Sequence, residues 1–446
     1  MDYLQQILKL LENQSANILS HEKLSRWVGS VSKIVGLMIE SRIPGATIGE
    51  LCEIVTDTGE RRLAEVVGFK GEISILLLLG AGGGLHQGSK VYPMGKTLQV
   101  PVGEGLLGRI IDSLGRPLDN KPIEKIKEWR GIDADPPEAY GRPRIDEVFS
   151  TGVRAIDGLL TLGVGQRVGL FAGSGVGKST LMGMIARYSD AQVNVIALVG
   201  ERGREVQDFI EESLGEEGLK KSVAVIATSD QPAMFRLKCL YTATTIAEYF
   251  RDQGNKVLLM VDSVTRTAMA GREVGLSIGE PPTMKGYTPS VFAMLPRILE
   301  RAGRSKLGSI TAVYSTLVDG DDFNEPIADT VRGILDGHIL LSRDIAAKNH
   351  FPAINILGSV SRLFNELAEK EHKASAGDFR NLMATYQKSE DLITIGAYTK
   401  GTDARLDRAI DLQDPINDFL KQATHSPVGF DESIKSLNTI SAYGKN

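Results

Sequence analysis

The chain has 446 residues, which at roughly 150 per domain predicts two or three domains with ample chain for several cores. Hydrophobic residues make up 42% and charged residues 24%, and 51 lysines and arginines against 56 acidic residues give a formal charge of −5. No strongly basic face for nucleic acid or anionic lipid is therefore required. The purely aliphatic run 75–79 is far short of the roughly 20 residues that span a bilayer and reads as a buried strand. The start Met1-Asp-Tyr-Leu has none of the basic, apolar and small-residue signals of a secretory leader, which predicts a cytosolic chain. Cys52 and Cys239 are too far apart for a CxxC site and too few for a disulfide framework, and read as buried thiols.

Over residues 1–22, Leu4, Ile7, Leu8 and Leu11 recur at helical spacing, which predicts an amphipathic helix. Its apolar face packs on its own domain or docks on a partner or neighbouring subunit; Lys9 as its sole basic residue argues against a membrane-surface role. Residues 23–95 switch to short β-type runs at 49–55, 63–69 and 73–79, broken by Asp57-Thr-Gly59, Gly71 and Gly82-Gly-Gly84, the pattern of a small β-barrel. A second domain is expected over 96–375, entered through an extended segment rich in glycine and proline around Pro101, Gly103, Gly105, Gly108 and Pro117. In it, apolar runs at 168–172, 193–199, 223–227, 257–261, 310–314 and 353–357 alternate with helical stretches, which predicts a mostly parallel sheet covered on both faces. Residues 376–446 place Leu406, Ile410, Ile416, Phe419 and Leu420 for a small C-terminal helical domain.

The strongest chemical signal is Gly173-Ser174-Gly175-Val176-Gly177-Lys178-Ser179-Thr180, directly after an apolar strand and directly before a helical stretch. Strand, glycine-rich turn and helix together make a P-loop. The glycines let backbone N–H groups wrap phosphates at a helix N-terminus, Lys178 adds charge for the β- and γ-oxygens, and Ser179 offers a hydroxyl to Mg²⁺. The run 257–261 ends in Asp262, the Walker B arrangement in which a strand-terminal carboxylate helps to hold the metal. The strand 193–199 delivers Glu201 and Arg202 to the same expected sheet edge. Glu201 is a candidate to take a proton from the attacking water or to position it, and Arg202 to contact the γ-phosphate or orient Glu201. Glu205 reads as a supporting or structural residue, and Arg266 as either a phosphate contact or the ion-pair partner of a neighbouring acid.

These segments, with Thr151-Gly-Val-Arg-Ala-Ile-Asp157, Gly279-Glu-Pro-Pro282, Pro289-Ser-Val-Phe-Ala293 and Glu300-Arg-Ala-Gly303, resemble the catalytic subunit of rotary ATP synthases and, within that group, the flagellum-specific export ATPases of type III secretion. The resemblance implies a RecA-like P-loop NTPase core with an N-terminal β-barrel and a C-terminal helical domain. It implies ATP as substrate and Mg²⁺ as cofactor. Gly358-Ser-Val-Ser-Arg362 resembles the segment that supplies an arginine finger to the next subunit's site, and Phe351 in His350-Phe-Pro-Ala353 the aromatic that stacks on adenine. Because one chain carries both Glu201 and Arg362, the expected assembly is a homohexamer. The implied work is unfolding, chaperone release and export of flagellar subunits at the cytoplasmic face of the inner membrane. The implied partners are a stator-like regulator, a central stalk protein, the export gate, export substrates and chaperones. The Glu280-Pro-Pro-Thr-Met-Lys-Gly286 loop is implied to lie towards the ring's pore, and Asp321 and Asp322 to be structural or interface residues. Gly271, where glutamine is expected, and Ser315, where threonine is usual, put a local contact in question.

The nearest alternative is the same enzyme in a virulence injectisome, which shares these motifs. A non-catalytic regulatory subunit is disfavoured by Glu201, and an RNA translocase by the acidic balance and the lack of an aromatic-interleaved basic N-terminal segment.

Overall fold

The computed structural model describes residues 28–138, 140–318 and 325–443. The expected N-terminal helix over 1–22 and the pair Asp321 and Asp322 lie outside them. The chain divides into two compact units, Met1–Leu98 and Gln99–Asn446.

In the first unit, β1 (Gly29–Val35), β2 (Met38–Arg42), β3 (Glu50–Val55), β4 (Arg61–Lys70), β5 (Ile73–Leu78) and β6 (Lys90–Thr97) close into an antiparallel barrel of order β1-β2-β5-β4-β3-β6. Closure removes the free edges that so short a sheet would otherwise expose. Alternate residues fill the interior, with Cys52, Ile54, Ala64, Val66 and Leu76 fully buried. Burial, then the Glu50 charge, pushes the Cys52 thiol up to about 12, so it stays protonated and unreactive.

The second unit is built on a sheet with helices on both faces. Two small ladders precede or flank it, β7 (Gln99–Val102) with β9 (Glu128–Gly131), and β10 (Val148–Phe149) with β11 (Leu162–Gly163). The main strands are β8 (Arg109–Asp112), β12 (Arg167–Ala172), β13 (Val193–Val199), β14 (Ser222–Ala227), β15 (Lys256–Asp262), β17 (Ser309–Leu317), β18 (Gly337–Leu340) and β19 (Val360–Ser361). Their order is β19-β18-β12-β17-β15-β13-β14-β8, with the short β16 (Gly303–Arg304) added to β17. All the neighbouring pairs are parallel except β16 with β17 and β19 with β18. Every residue of β13 is buried, as a strand covered on both faces requires. The register sets Leu198 beside Asp262, Val261 beside Tyr314 and Ala172 beside Leu317, so four strands end level along one edge.

The run 353–357, expected as a strand, makes only one bridge, Ile354 to Leu341. Pro352 brings no N–H to a ladder. The Asn355 side chain accepts from the Gly358 N–H at 2.9 Å and turns the chain back into β19. Ala353, Ile354 and Ile356 are apolar because they are buried; their pattern matches a strand's without the pairing. The helix Lys370–Thr394 runs through the 375–376 position, and Ala376, Phe379, Leu382, Leu412, Ile416, Phe419 and Leu437 share one core with Val168, Leu170, Ile185 and Phe149 of the α/β part. Among the described residues, no helix is long and apolar enough to cross a membrane.

Two buried charges hold the surroundings of the main sheet. Arg301, 1% exposed, bonds both Glu248 oxygens, the Ile132 carbonyl and Thr245, which ties the entering connection to the helix Ala233–Asp252. Asp157 accepts from the Thr151 N–H at 2.8 Å, the Thr151 hydroxyl at 2.7 Å, the Gly152 N–H at 3.2 Å and the Ser150 hydroxyl at 3.1 Å. It thereby shapes a loop whose Gly152, at φ +70°, lies so close to Tyr188 that a Cβ there would sit 2.5 Å from the Tyr188 Cβ. Asp157→Ala strands these donors in the interior and should lower unfolding stability by about 2–4 kcal/mol, with Asp157→Asn losing less. Unfolding of Asp157→Ala at the wild-type urea midpoint would show that the loop does not depend on this carboxylate.

Candidate active site

The level strand ends bring the chemistry together. After Ala172 the chain turns through Gly175 at φ +78° and Gly177 at φ +85°, left-handed values that favour glycine, into the helix Lys178–Tyr188. That helix has no side-chain cap at its start. Its first N–H groups are thus left for an anion, and the helix dipole favours one there. They open on a cavity of about 570 Å³ lined by Gly173, Ser174, Gly175, Gly177, Lys178, Ser179 and Thr180 on one side and by Glu201, Arg202, Asp262 and Arg266 on the other. The Ser179 and Thr180 side chains are exposed to it, whereas Val176 is 2% exposed and anchors the loop in the core.

Asp262 is 2% exposed and contacts the Lys178 ammonium. It also accepts from the Ser315 hydroxyl at 2.8 Å, so the serine at this position supplies the contact that its departure from threonine had put in question. Glu201 lies 3.8 Å from Lys178 Nζ and pairs with Arg266 at 3.2 Å, while Arg266 also donates to the Gly200 carbonyl at 2.7 Å. Of its two expected roles, Arg266 here takes the ion pair. Burial first, then the Asp262 charge and a hydrogen bond shared with Glu205, pushes Glu201 up to about 7 against the pull of Lys178 and Arg266. Glu205 is held below the ordinary carboxylate range chiefly by that same bond, so of the two carboxyls Glu201 takes up a proton first as pH falls. The Arg202 side chain is 80% exposed and reaches Glu205 at 3.4 Å.

Of two further expected site residues, one flanks this group and one stands apart from it. The Phe351 ring packs on the P-loop, its Cδ1 3.4 Å from where a Cβ on Gly177 would lie, and it is 42% exposed. Arg362 follows β19, whose Ser361 pairs with Gly337 at the beginning of β18, and its N–H donates to the Asp336 carbonyl at 3.0 Å. Asp336 in turn bonds Arg167 at the start of β12. Arg362 therefore sits at the end of the sheet opposite its own P-loop, about 20 Å away along β12 at roughly 3.3 Å per residue. Sequence reasoning missed Arg343, whose guanidinium lies 2.8 Å from where a Cβ on Gly173 would be, because no local spacing links residues so far apart in the chain.

Comparison with known proteins shows the family and the fold. Residues 152–361 match the nucleotide-binding domain of the ATP synthase alpha/beta family and 31–95 its beta-barrel domain, and 368–439 match the T3SS EscN ATPase C-terminal domain. The flagellum-specific ATP synthase of Bacillus subtilis is 56% identical over 92% of this chain and 94% of its own. The type 3 secretion system ATPase of Xanthomonas euvesicatoria is 48% identical over 97% and 98%. The assembled ATPase EscN of the enteropathogenic E. coli type III secretion system superposes with a TM-score of 0.88 at 47% identity, covering 93% of this chain and all of that one. EscN in complex with its central stalk EscO gives 0.87 at 46%, with the same coverage.

A base works only once deprotonated. If Glu201 takes the water's proton, kcat/KM for ATP hydrolysis should rise with pH through about 7. Glu205→Ala removes a contact that raises Glu201 and should move the rising limb to lower pH. A profile that is flat between about pH 6 and 8, or a limb unmoved in that variant, would remove Glu201 from the role of base.

Proposed function

The chain belongs to the family of flagellum-specific ATP synthases and type 3 secretion system ATPases, and on that premise we propose that it hydrolyses ATP in a homohexameric ring to drive export of flagellar proteins. The observation that carries the ring is the placement of Arg362. A chain that bears a P-loop and a catalytic carboxylate at one end of its sheet, and the arginine at the other, completes a site only with a neighbour. A closed ring satisfies every copy equally. The flagellar reading is supported by the 56% identity to the Bacillus subtilis relative, although further flagellar relatives at 44–50% overlap the type 3 secretion system ones at 45–48%.

The uncapped helix start and the glycine-lined cavity fit a triphosphate. The backbone of 173–180 binds its oxygens, Lys178 leaves Asp262 to answer the β- and γ-phosphates, and Phe351 flanks the base. The Ser179 hydroxyl and the Asp262 carboxylate, a hard oxygen donor set, fit Mg²⁺ and would hold it. When bound, Mg²⁺ neutralises charge on the transferring phosphate. Glu201 accepts a proton from water as the water oxygen bonds to the γ-phosphorus and the bond to the β-phosphate oxygen breaks, leaving ADP and inorganic phosphate. Arg266 keeps the Glu201 carboxylate oriented, Arg202 lies at the mouth beside the γ-phosphate, and the neighbour's copy of Arg362 stabilises the equatorial oxygens.

In this reading the ring unfolds export substrates and releases them from chaperones. It works with a stator-like regulator, a central stalk protein and the export gate, peripheral to the cytoplasmic face of the inner membrane. EscN, at 46% identity, has been seen with its own central stalk EscO, which supports the stalk partner.

The test is ATPase rate per subunit against protein concentration, with light scattering recorded alongside. The wild-type rate should climb as rings form, Glu201→Gln should be nearly inactive, and Arg362→Ala should fall by about 10³-fold or more. Mixing the two variants should restore part of the turnover, because some interfaces then hold both intact residues. A rate per subunit independent of concentration together with full activity in Arg362→Ala would overturn the shared site.

A further inference from the structure

Gln422 lies in the segment between the helices Gln413–Leu420 and Phe430–Ala442, far in sequence from every motif of the site. Its backbone N–H donates to the Phe351 carbonyl at 3.0 Å. Its side-chain oxygen accepts from the Arg154 N–H at 2.8 Å, and its amide nitrogen donates to the carbonyls of Gly152 and Ser426, each at 2.8 Å. The orientation of the amide is fixed by chemistry, since a backbone N–H needs the oxygen and two carbonyls need the nitrogen. Arg154 reinforces the clasp by donating to the carbonyls of Phe419 at 2.6 Å and Lys421 at 2.6 Å.

These bonds close a circuit around the P-loop helix. At its start, Gly177 carries the Phe351 ring. At its end, Tyr188 packs on Gly152 and donates its hydroxyl to the Thr424 carbonyl at 3.0 Å. Gln422 joins the two ends through Phe351 and Gly152. Phe351 itself is held by little else on its solvent side, being 42% exposed. The position of its ring over Gly177 thus depends on where Gln422 holds its carbonyl.

We propose that Gln422 is a positioning residue for the nucleotide base, acting through Phe351 so that the C-terminal segment sets how firmly the base is gripped. This rests on the reading of Phe351 as the base contact. The residue touches neither phosphate nor the attacking water, so its loss bears on the base alone.

The experiment measures binding of ADP and of pyrophosphate, both with Mg²⁺, to the full chain as wild type, Gln422→Ala, the isosteric Gln422→Glu, Phe351→Ala and the Gln422→Ala/Phe351→Ala double variant. Gln422→Glu keeps the shape but loses both side-chain donations, so it serves where Gln422→Ala fails to fold. Each Gln422 variant should weaken ADP binding about tenfold and leave pyrophosphate binding within about twofold, the size expected for a few lost hydrogen bonds. The double variant should bind ADP no more weakly than Phe351→Ala, because Gln422 has no other route to the base. A merely structural role would shift the melting midpoint without this split. Wild-type ADP binding in both Gln422 variants while Phe351→Ala is weakened overturns the inference and leaves the base contact standing. Equal weakening of pyrophosphate also overturns it, by showing that Gln422 acts on the P-loop. Wild-type ADP binding in Phe351→Ala overturns the base contact itself, and the inference with it.

Discussion

The start of the helix Lys178–Tyr188 is the constraint on which the rest of the site depends. A helix N-terminus with no side-chain cap leaves N–H groups without partners, and here they face a cavity. The surrounding charges make that arrangement tolerable. Asp262 and Glu201 are both buried and close to the same ammonium, so the Asp262 charge raises the cost of ionising Glu201. Lys178 and Arg266 offset this in part, and Glu201 remains raised to about 7. Adding an anion at the helix start changes the balance, because it competes with Asp262 for Lys178. In the proposed reading the carboxylate so released would be free for Mg²⁺, and one lysine would couple phosphate binding to metal binding.

Parallel register is what makes this coupling exact in space. Asp262, Ser315, the P-loop and Glu201 come from four strands widely separated in sequence, yet the pairings of β12, β17, β15 and β13 bring their ends level. The same register carries Arg362 to the far end of the sheet, since β19 pairs with the beginning of β18. A rigid sheet gives the arginine no path back to its own P-loop. The geometry that gathers the other proposed site residues within one chain thus keeps Arg362 away from them, which in the proposed reading is a stronger reason for assembly than any apolar face.

Much of this was legible in the sequence, and for identifiable reasons. The strand, turn and helix of the P-loop and the strand ending in Asp262 were legible because each is contiguous in the chain, and a small β-barrel, though not its six strands, from short runs separated by glycine turns. What was not legible arises from contacts that only folding creates. Ser315 beside Asp262, Arg343 against Gly173 and Gln422 on Phe351 each join residues brought together by register or by the packing of the C-terminal helices. The run 353–357 misled for a related reason, since apolar residues report burial, and burial here is supplied by a core shared with the C-terminal helices. The sequence around 376 gave no sign that the helix begins at Lys370, because the buried residue of its first turn is the polar His372, which adds nothing to an apolar period.

The three ends of the nucleotide would be held by parts of the molecule with different freedom. The phosphate end rests on a sheet edge whose geometry is set by strand register and close packing, and has little room to vary. The base end rests on a loop clasped by the segment after the helix Gln413–Leu420, and the reacting phosphorus awaits a residue from a neighbour. Interactions at the base are equally present before and during reaction, so they set affinity, whereas a guanidinium aimed at the equatorial oxygens contributes most in the transition state and sets rate. In the proposed reading, affinity would be set by the C-terminal part of each chain and rate by the contact between chains. A ring whose copies differ only in how tightly neighbours close can then hold nucleotide at one interface while hydrolysing it at another, with no change in the chemistry of any site.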